Sequence, residues 1–529
     1  MSLPKGESGS PVHKRDFIKT PVGNVAGQRR RQQAVSIGKE RRDAVVRAKR
    51  LCRLDSNDED GNIIDTDVAM DDEIAELEEQ TIHTVEELKS AASLTGKGAY
   101  QKKMEVLRRL RRLLSQTSIP PVEVAVHAGV VPVLVQCLSF GSADEQLLEA
   151  AWCLTNIATG ELEQTQALLP ALPMLIAHLG EKSSIPVAEQ CAWAVGNVAG
   201  EGEEFRDILL AQGALPSLAR LMLSNKGSTA RTAAWALSNL IKGPKPKAAV
   251  ELVKMNGIPE VIVRHMQKGD EELATEVAWV VVYLTALSEM QSGLLITAGL
   301  LPPLIGRLAS SDQLALLTPV LRSIGNLVAG DNHKLDAVIA AGQDIPGSVI
   351  GAMIKCLESE HRTLKKEAAW ALSNIAAGTV VHKQLIFSSG AVSPLLHLLA
   401  TATFDIRKEV AYVLGNLCVA TVGKTGETVP ILEHLTVFVN RGCLRGFINL
   451  IKSPDTEAAK LGLQFLELVM RGLPNGQGPR LVEAEDGIAA MELFQFHENE
   501  ELRNMANGLV DKYFGESYGI EEDYGPEVA

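Results

Sequence analysis

Apolar residues along most of this chain recur at helical spacing rather than in strand-like alternation. Stretches such as EAAWCLTNIATG (149–160), EQCAWAVGNVAG (189–200) and TAAWALSNLIKG (232–243) carry small and apolar residues on every side of the turn, the pattern of helices buried all round. Shorter apolar runs lie between them: AGVVPVLVQCL from 128, QGALPSLARLM from 212, AGLLPPLIGRL from 298 and SGAVSPLLHLL from 389. Each has Gly before the run and Pro in its first turn, which marks one helix ending and the next beginning. The pattern predicts an all-α chain built from units of about three helices.

The Trp phrase returns as EAAWALSNIAAG at 367–378, and in weaker form as EVAWVVVYLTA from 276, VLRSIGNLVAG from 320 and EVAYVLGNLCVA from 409. With Trp152, Trp193, Trp235, Trp279, Arg322, Trp370 and Tyr412 as markers, the intervals are 41, 42, 44, 43, 48 and 42 residues. That period resembles armadillo and HEAT repeats. One unit cannot bury its own apolar faces, whereas stacked units share a continuous core. The expectation is an armadillo-repeat solenoid of about ten three-helix repeats over residues 84–515, its right-handed superhelical sense following from the analogy.

Composition narrows this further. At 529 residues the chain is longer than one compact core sustains, and with aromatics at 4% and apolar residues at 46% it suits stacked helices better than sandwiches. Seven cysteines at 52, 137, 153, 191, 356, 418 and 443 form no CxxC pair or metal-ligand cluster, which implies a reducing compartment. The N-terminus is polar and basic and no apolar run reaches 18 residues, so secretion and membrane insertion are not expected.

The net charge of −13 hides an asymmetry: residues 1–54 hold 14 Lys/Arg against 4 Asp/Glu, a surplus of +10, which leaves −23 on the remainder. An acidic body tethered to a basic arm suggests that the body recognises cations and that the arm can be one of its ligands. Residues 1–28 read as disordered. Residues 29–54 read as a helix that folds on a partner, residues 55–83 as an acidic flexible linker, and residues 516–529 as an acidic tail.

Trp and Asn four apart on a helix share a face, so stacked repeats turn each pair into a rung. The simplest alternative is that Trp is core filler. Such a residue would drift between positions from repeat to repeat, and the Asn held at 156, 197, 239, 326, 374 and 416 is poor filler because a buried amide needs partners. Asn side chains can bond the backbone of an extended peptide, and each pair of Trp rings can form a slot for the stem of Lys or Arg. Three residues before the markers stand Glu149, Gln190, Thr232, Glu276, Glu367 and Glu409, mostly acids able to answer cationic heads.

WCLTN, WAVGN and WALSN, then Arg322 with Asn326, then WALSN again, resemble the importin-alpha family from the basic arm to residue 515. The resemblance implies a non-enzymatic nuclear import adaptor without cofactor or metal, shuttling between cytoplasm and nucleus through the pore. It implies a major site for basic nuclear localisation signals at Trp152, Asn156, Gly160, Thr165, Gln190, Trp193, Asn197, Glu201, Trp235 and Asn239. A minor site is implied at Asn326, Glu367, Trp370, Asn374, Glu409, Tyr412 and Asn416. Trp279 and Tyr283 fill a middle rung without Asn, and Arg322 puts a cation where Trp would be, so the ladder divides. Glu201 stands where the family has Asp, and Tyr412 where it has Trp, which implies a weaker minor site. Arg29, Arg30, Arg31, Lys39, Arg41, Arg42, Arg47, Lys49 and Arg50 resemble the segment that binds importin-beta and otherwise folds back into the major site. Leu51 interrupts that basic run and implies leaky autoinhibition. The stretch FQFHENEELRNMANGLVDKYFG resembles the last repeat, which the export carrier binds with its GTPase.

Other classes fit less well. Nucleotide-binding and hydrolase motifs are missing from the sequence, and His497 beside Glu498 reads as surface. An armadillo scaffold for acidic partners would line its face with Lys and Arg, and a nucleic-acid role would rest on the arm alone.

Overall fold

The computed structural model describes residues 70–96, 98–115, 120–243, 245–286, 289–343, 348–422 and 427–515. They divide into two compact units, one ending at Pro303 and one beginning at Leu304. Both are built from the expected three-helix repeat. The arm residues 29–54 and the tail 516–529 lie outside the described residues.

In the first unit the Trp-bearing helices Asp144–Ile157, Ile185–Glu201, Gly227–Ile241 and Glu271–Thr285 pack each on the next. In the second, Leu314–Val328, Arg362–Ala376 and Phe404–Leu417 do the same. Their small residues allow this. In Ile185–Glu201 an unbroken buried run includes Ala192, Ala194, Gly196, Ala199 and Gly200, so neighbouring backbones approach closely on more than one side.

In six repeats the paired shorter helices meet at a glycine, and the sequence pattern marks four of these, Gly129, Gly213, Gly299 and Gly390. Gly129, Gly213, Gly257, Gly299, Gly390 and Gly442 all have φ between 77° and 93°, a left-handed conformation that ends one helix and lets the next leave at a steep angle. Met290–Thr297 meets Leu301–Ser310 at 83°, and Val380–Ser388 meets Val392–Thr401 at 82°. Among the described residues no single helix is long and apolar enough to cross a membrane. The long interval of 48 falls around the junction between Asn332–Ala341 and Ser348–Glu358, where Ser348 rather than Gly takes φ 62°.

One expectation needs correction. The stretch read as a linker to residue 83 is helical from Met70, in Met70–Ser93, and Thr81 and Thr84 are buried with their hydroxyls bonded to Leu77 O and Gln80 O. Its acidic surface concealed a narrow buried stripe of Thr81, Thr84, Val85 and Leu88 at helical spacing. The all-α fold also carries one short hairpin among the described residues. Val419–Val422 and Glu427–Pro430 pair antiparallel, Val419 opposite Pro430, with Val/Thr-rich sequences too short to give a readable strand period.

Candidate functional site

Four rungs are fixed by a hydrogen bond of constant register. Asn197 Nδ2 donates to Thr155 O at 3.2 Å, Asn239 Nδ2 to Gly196 O at 2.9 Å, Asn374 Nδ2 to Gly325 O at 3.0 Å and Asn416 Nδ2 to Ser373 O at 3.0 Å. The acceptor is always the residue just before the Asn of the preceding Trp helix. Asn156 Nδ2 instead reaches Ser115 Oγ at 2.9 Å. The amide donor therefore bolts neighbouring helices together, and the carbonyl oxygen is the end left over. For Asn197 and Asn416 that Oδ1 is buried and accepts no hydrogen bond. Asn239 Oδ1 accepts from the Nζ of Lys242 at 3.0 Å.

The same register seats the indoles. A Cβ placed on Gly196 would lie 2.3 Å from Trp235 Cζ3, and one on Gly325 would lie 2.0 Å from Trp370 Cζ3. Glycine just before the rung Asn thus leaves a hollow for the next Trp, while its carbonyl receives the next Asn. Sequence reasoning passed over Gly196 and Gly325, although both precede Asn at the repeat interval.

The ring geometry differs from the slot expected between each Trp pair. Trp193 and Trp235 stack on each other with centroids 5.0 Å apart and 30° between planes. An alkyl stem between two rings needs about 7–8 Å, two carbon contacts of about 3.5–4 Å, so a Lys stem lies over the outer edges or the rings must part. Trp279 and Tyr283 of Glu271–Thr285 are 6.4 Å apart, forming the middle rung without Asn.

The acids are placed less uniformly than expected. Glu367 does not face outward with a free carboxylate: Arg322 Nη2 donates to its Oε1 at 2.5 Å, and both side chains are buried. Glu149 accepts from Arg111 Nε at 2.6 Å, and the Arg111 guanidinium lies 4.6 Å from the Trp152 ring centroid. Gln190 Nε2 donates to Thr155 Oγ1 at 2.8 Å, holding two Trp helices together. Glu201 ends Ile185–Glu201, where its charge adds to the negative end of the helix dipole. Thr165, on Leu162–Ala167, buries an Oγ1 that makes no hydrogen bond, and Gly160 lies in the turn just before that helix. Asn326, Glu409 and Tyr412 are half-buried on their helices. Residues of the expected major site fall in the first unit and those of the minor site in the second.

Six cysteines, from Cys137 to Cys443, are free and buried. Burial pushes the Cys356 thiol up to about 11 and raises Cys153, Cys191, Cys418 and Cys443 as well, which leaves them unreactive as nucleophiles.

The armadillo/beta-catenin-like repeat model matches residues 118–159, 202–242, 345–377 and 379–419. The chain is 62% identical over 517 residues to importin subunit alpha-9 of Arabidopsis thaliana, covering 98% of this chain and 100% of the relative. It is 60% identical over 521 residues to importin subunit alpha-2 of Oryza sativa subsp. japonica, covering 98% and 99%. Among solved structures an engineered protein superposes with a TM-score of 0.69 at 24% identity, over 81% of this chain and 98% of that one, a likeness of fold. Three-helix repeats, a Trp/Asn register held within both units and 60–62% identity to these relatives over nearly the whole length place the chain in the importin-alpha family of armadillo-repeat proteins.

Proposed function

We propose that the chain binds basic nuclear localisation signals along its Trp/Asn helices and couples them to importin-beta through residues 29–54. Membership of the importin-alpha family carries the general role of a nuclear import adaptor and not of an enzyme. The finer assignment rests on the two unmet acceptors, Asn197 Oδ1 in the first unit and Asn416 Oδ1 in the second. A buried carbonyl oxygen without a donor costs about 1–3 kcal/mol, and the backbone N–H of an extended peptide is the donor that fits a row of such groups. The register favours this ligand: each Asn is already held by its nitrogen, so its oxygen is pre-positioned without further loss of side-chain freedom.

The peptide is basic because the chain beyond residue 54 carries −23 and its ladder helices bear aromatic rings together with acids such as Glu201 and Glu409. In this reading residues 152–239 form the major site and residues 326–416 the minor one. Glu367 is held by Arg322, so a cation at the minor site has to share that carboxylate, and this site binds more weakly. The C-terminal repeat, ending in Glu500–Phe514, is the proposed place for the export carrier with its GTPase, and the protein shuttles between cytoplasm and nucleus. Deleting residues 1–54 abolishes capture of importin-beta while leaving binding of a labelled basic peptide intact or stronger. Capture that survives the deletion contradicts the role of the arm.

A further inference from the structure

We propose that Arg111 is a built-in occupant of the first basic slot and sets where the residue 152–239 face stops reading cations; the inference rests on the peptide-binding reading above. Arg111 lies on Ala99–Leu114, 41 residues before Trp152, and so takes the position that Trp holds in the repeats that follow. Ser115, four residues further on, takes the place of the rung Asn and accepts from Asn156 Nδ2 at 2.9 Å. The helix is therefore a rung of the same ladder with its two marker residues exchanged.

The exchange fills the site. The guanidinium carbon of Arg111 lies 4.6 Å from the Trp152 centroid, and its Nε donates to Glu149 Oε2 at 2.6 Å. A planar cation over an indole face with a carboxylate beside it is the set of contacts an incoming Lys or Arg would make there. With 17% and 13% of the Arg111 and Glu149 side chains exposed, the pair is shielded from the screening that cancels surface ion pairs.

The same trio recurs in the second unit. Arg322 holds the marker position, its guanidinium bonds Glu367, and Glu367 stands three residues before Trp370, as Glu149 stands three before Trp152. Both Trp series thus begin with an arginine that engages the acid of the first Trp helix. A peptide residue reaching Trp152 meets a face and a carboxylate already answered, so it gains no charge pair at that rung, and basic residues beyond it go unread.

Three fluorescein-labelled peptides test this in the full chain at about 150 mM salt: one with four consecutive lysines, and two with a fifth lysine at one end or the other. In the wild type neither fifth lysine changes affinity by more than about threefold, the residue of screened long-range attraction. Arg111→Met keeps an aliphatic chain over Trp152 but frees Glu149, and one of the two fifth lysines then tightens binding about tenfold. Arg111→Lys restores the wild-type ratio. Equal ratios in wild type and Arg111→Met overturn the inference while peptide binding stands. A tenfold gain already present in the wild type overturns it without recourse to any variant. A chain that binds none of the three peptides overturns both the inference and the proposed function.

Discussion

Gly196 is the residue on which two neighbouring repeats depend most directly. Its carbonyl receives Asn239, and its missing side chain makes room for Trp235. Gly196→Ala forces the indole to move, since the new Cβ would lie 2.3 and 2.8 Å from two ring carbons, and overpacking of this kind costs about 1–3 kcal/mol. Urea denaturation should show that loss. Gly508→Ala is the control: nothing lies within 4 Å of its Cβ position at an exposed point of the Glu500–Phe514 helix, and the variant should be neutral or stabilised by up to about 1 kcal/mol. Asn374→Ala tests the bolt, because it strands the Gly325 carbonyl and should destabilise by about 1–3 kcal/mol as well as weaken peptide binding. A variant of unchanged stability would mean that the amide serves only the ligand. The sequence marks Asn by its spacing, but spacing does not say which end of an amide faces the neighbouring helix. That direction depends on the offset between stacked helices, a tertiary quantity.

At the scale of the element, the Trp helices end in carbonyls that long cations satisfy. Lys383, buried on Val380–Ser388, donates from Nζ to Ala376 O at 2.6 Å and to Asn416 O at 2.9 Å, joining the C-termini of the helices that bear Trp370 and Tyr412. Arg206 plays a similar part, donating to Ala199 O at 3.3 Å, and burial lowers its pKa from the ordinary value. Helix C-termini favour cations, and a charged hydrogen bond contributes about 1.5–3 kcal/mol. Lys383→Met should therefore lower the stability of the second unit by at least about 2 kcal/mol in thermal or chemical denaturation. These residues were not singled out from sequence, because a lone Lys or Arg between helices looks like solvated surface. The helices themselves were legible, since the apolar period and the Gly-then-Pro junction both repeat. The Met70–Ser93 helix was hidden by its acids, and the Arg111 rung was readable only as a bare 41-residue spacing without the Trp phrase.

Across the whole molecule, buried histidines link stability to pH. Burial lowers the pKa of His265 in the first unit and of His434 in the second below the ordinary 6.5. His265 bonds Met222 O through Nε2 at 3.0 Å, and His434 bonds Leu417 O through Nδ1 at 2.7 Å and stacks on Phe387. The unfolded chain binds protons at these sites at a higher pH than the folded chain does. Their contribution is therefore fully present above pH 6.5 and is lost as pH falls through 6.5 toward the lower folded values. The melting temperature should fall between pH 7 and pH 5, and His265→Gln with His434→Gln should flatten that slope. A slope unchanged by both substitutions assigns the pH dependence elsewhere.

The account as a whole claims that Trp and Asn on stacked helices read a basic peptide. The direct measurement is titration of a fluorescent lysine-rich peptide into the full chain and into a Trp193→Ala, Asn197→Ala double variant, with circular dichroism recorded on both. Losing an aromatic face and a pre-positioned acceptor, each worth about 1 kcal/mol, should weaken binding at least about thirtyfold while the helical signal remains. Equal affinity in the two proteins, both folded, would contradict the claim.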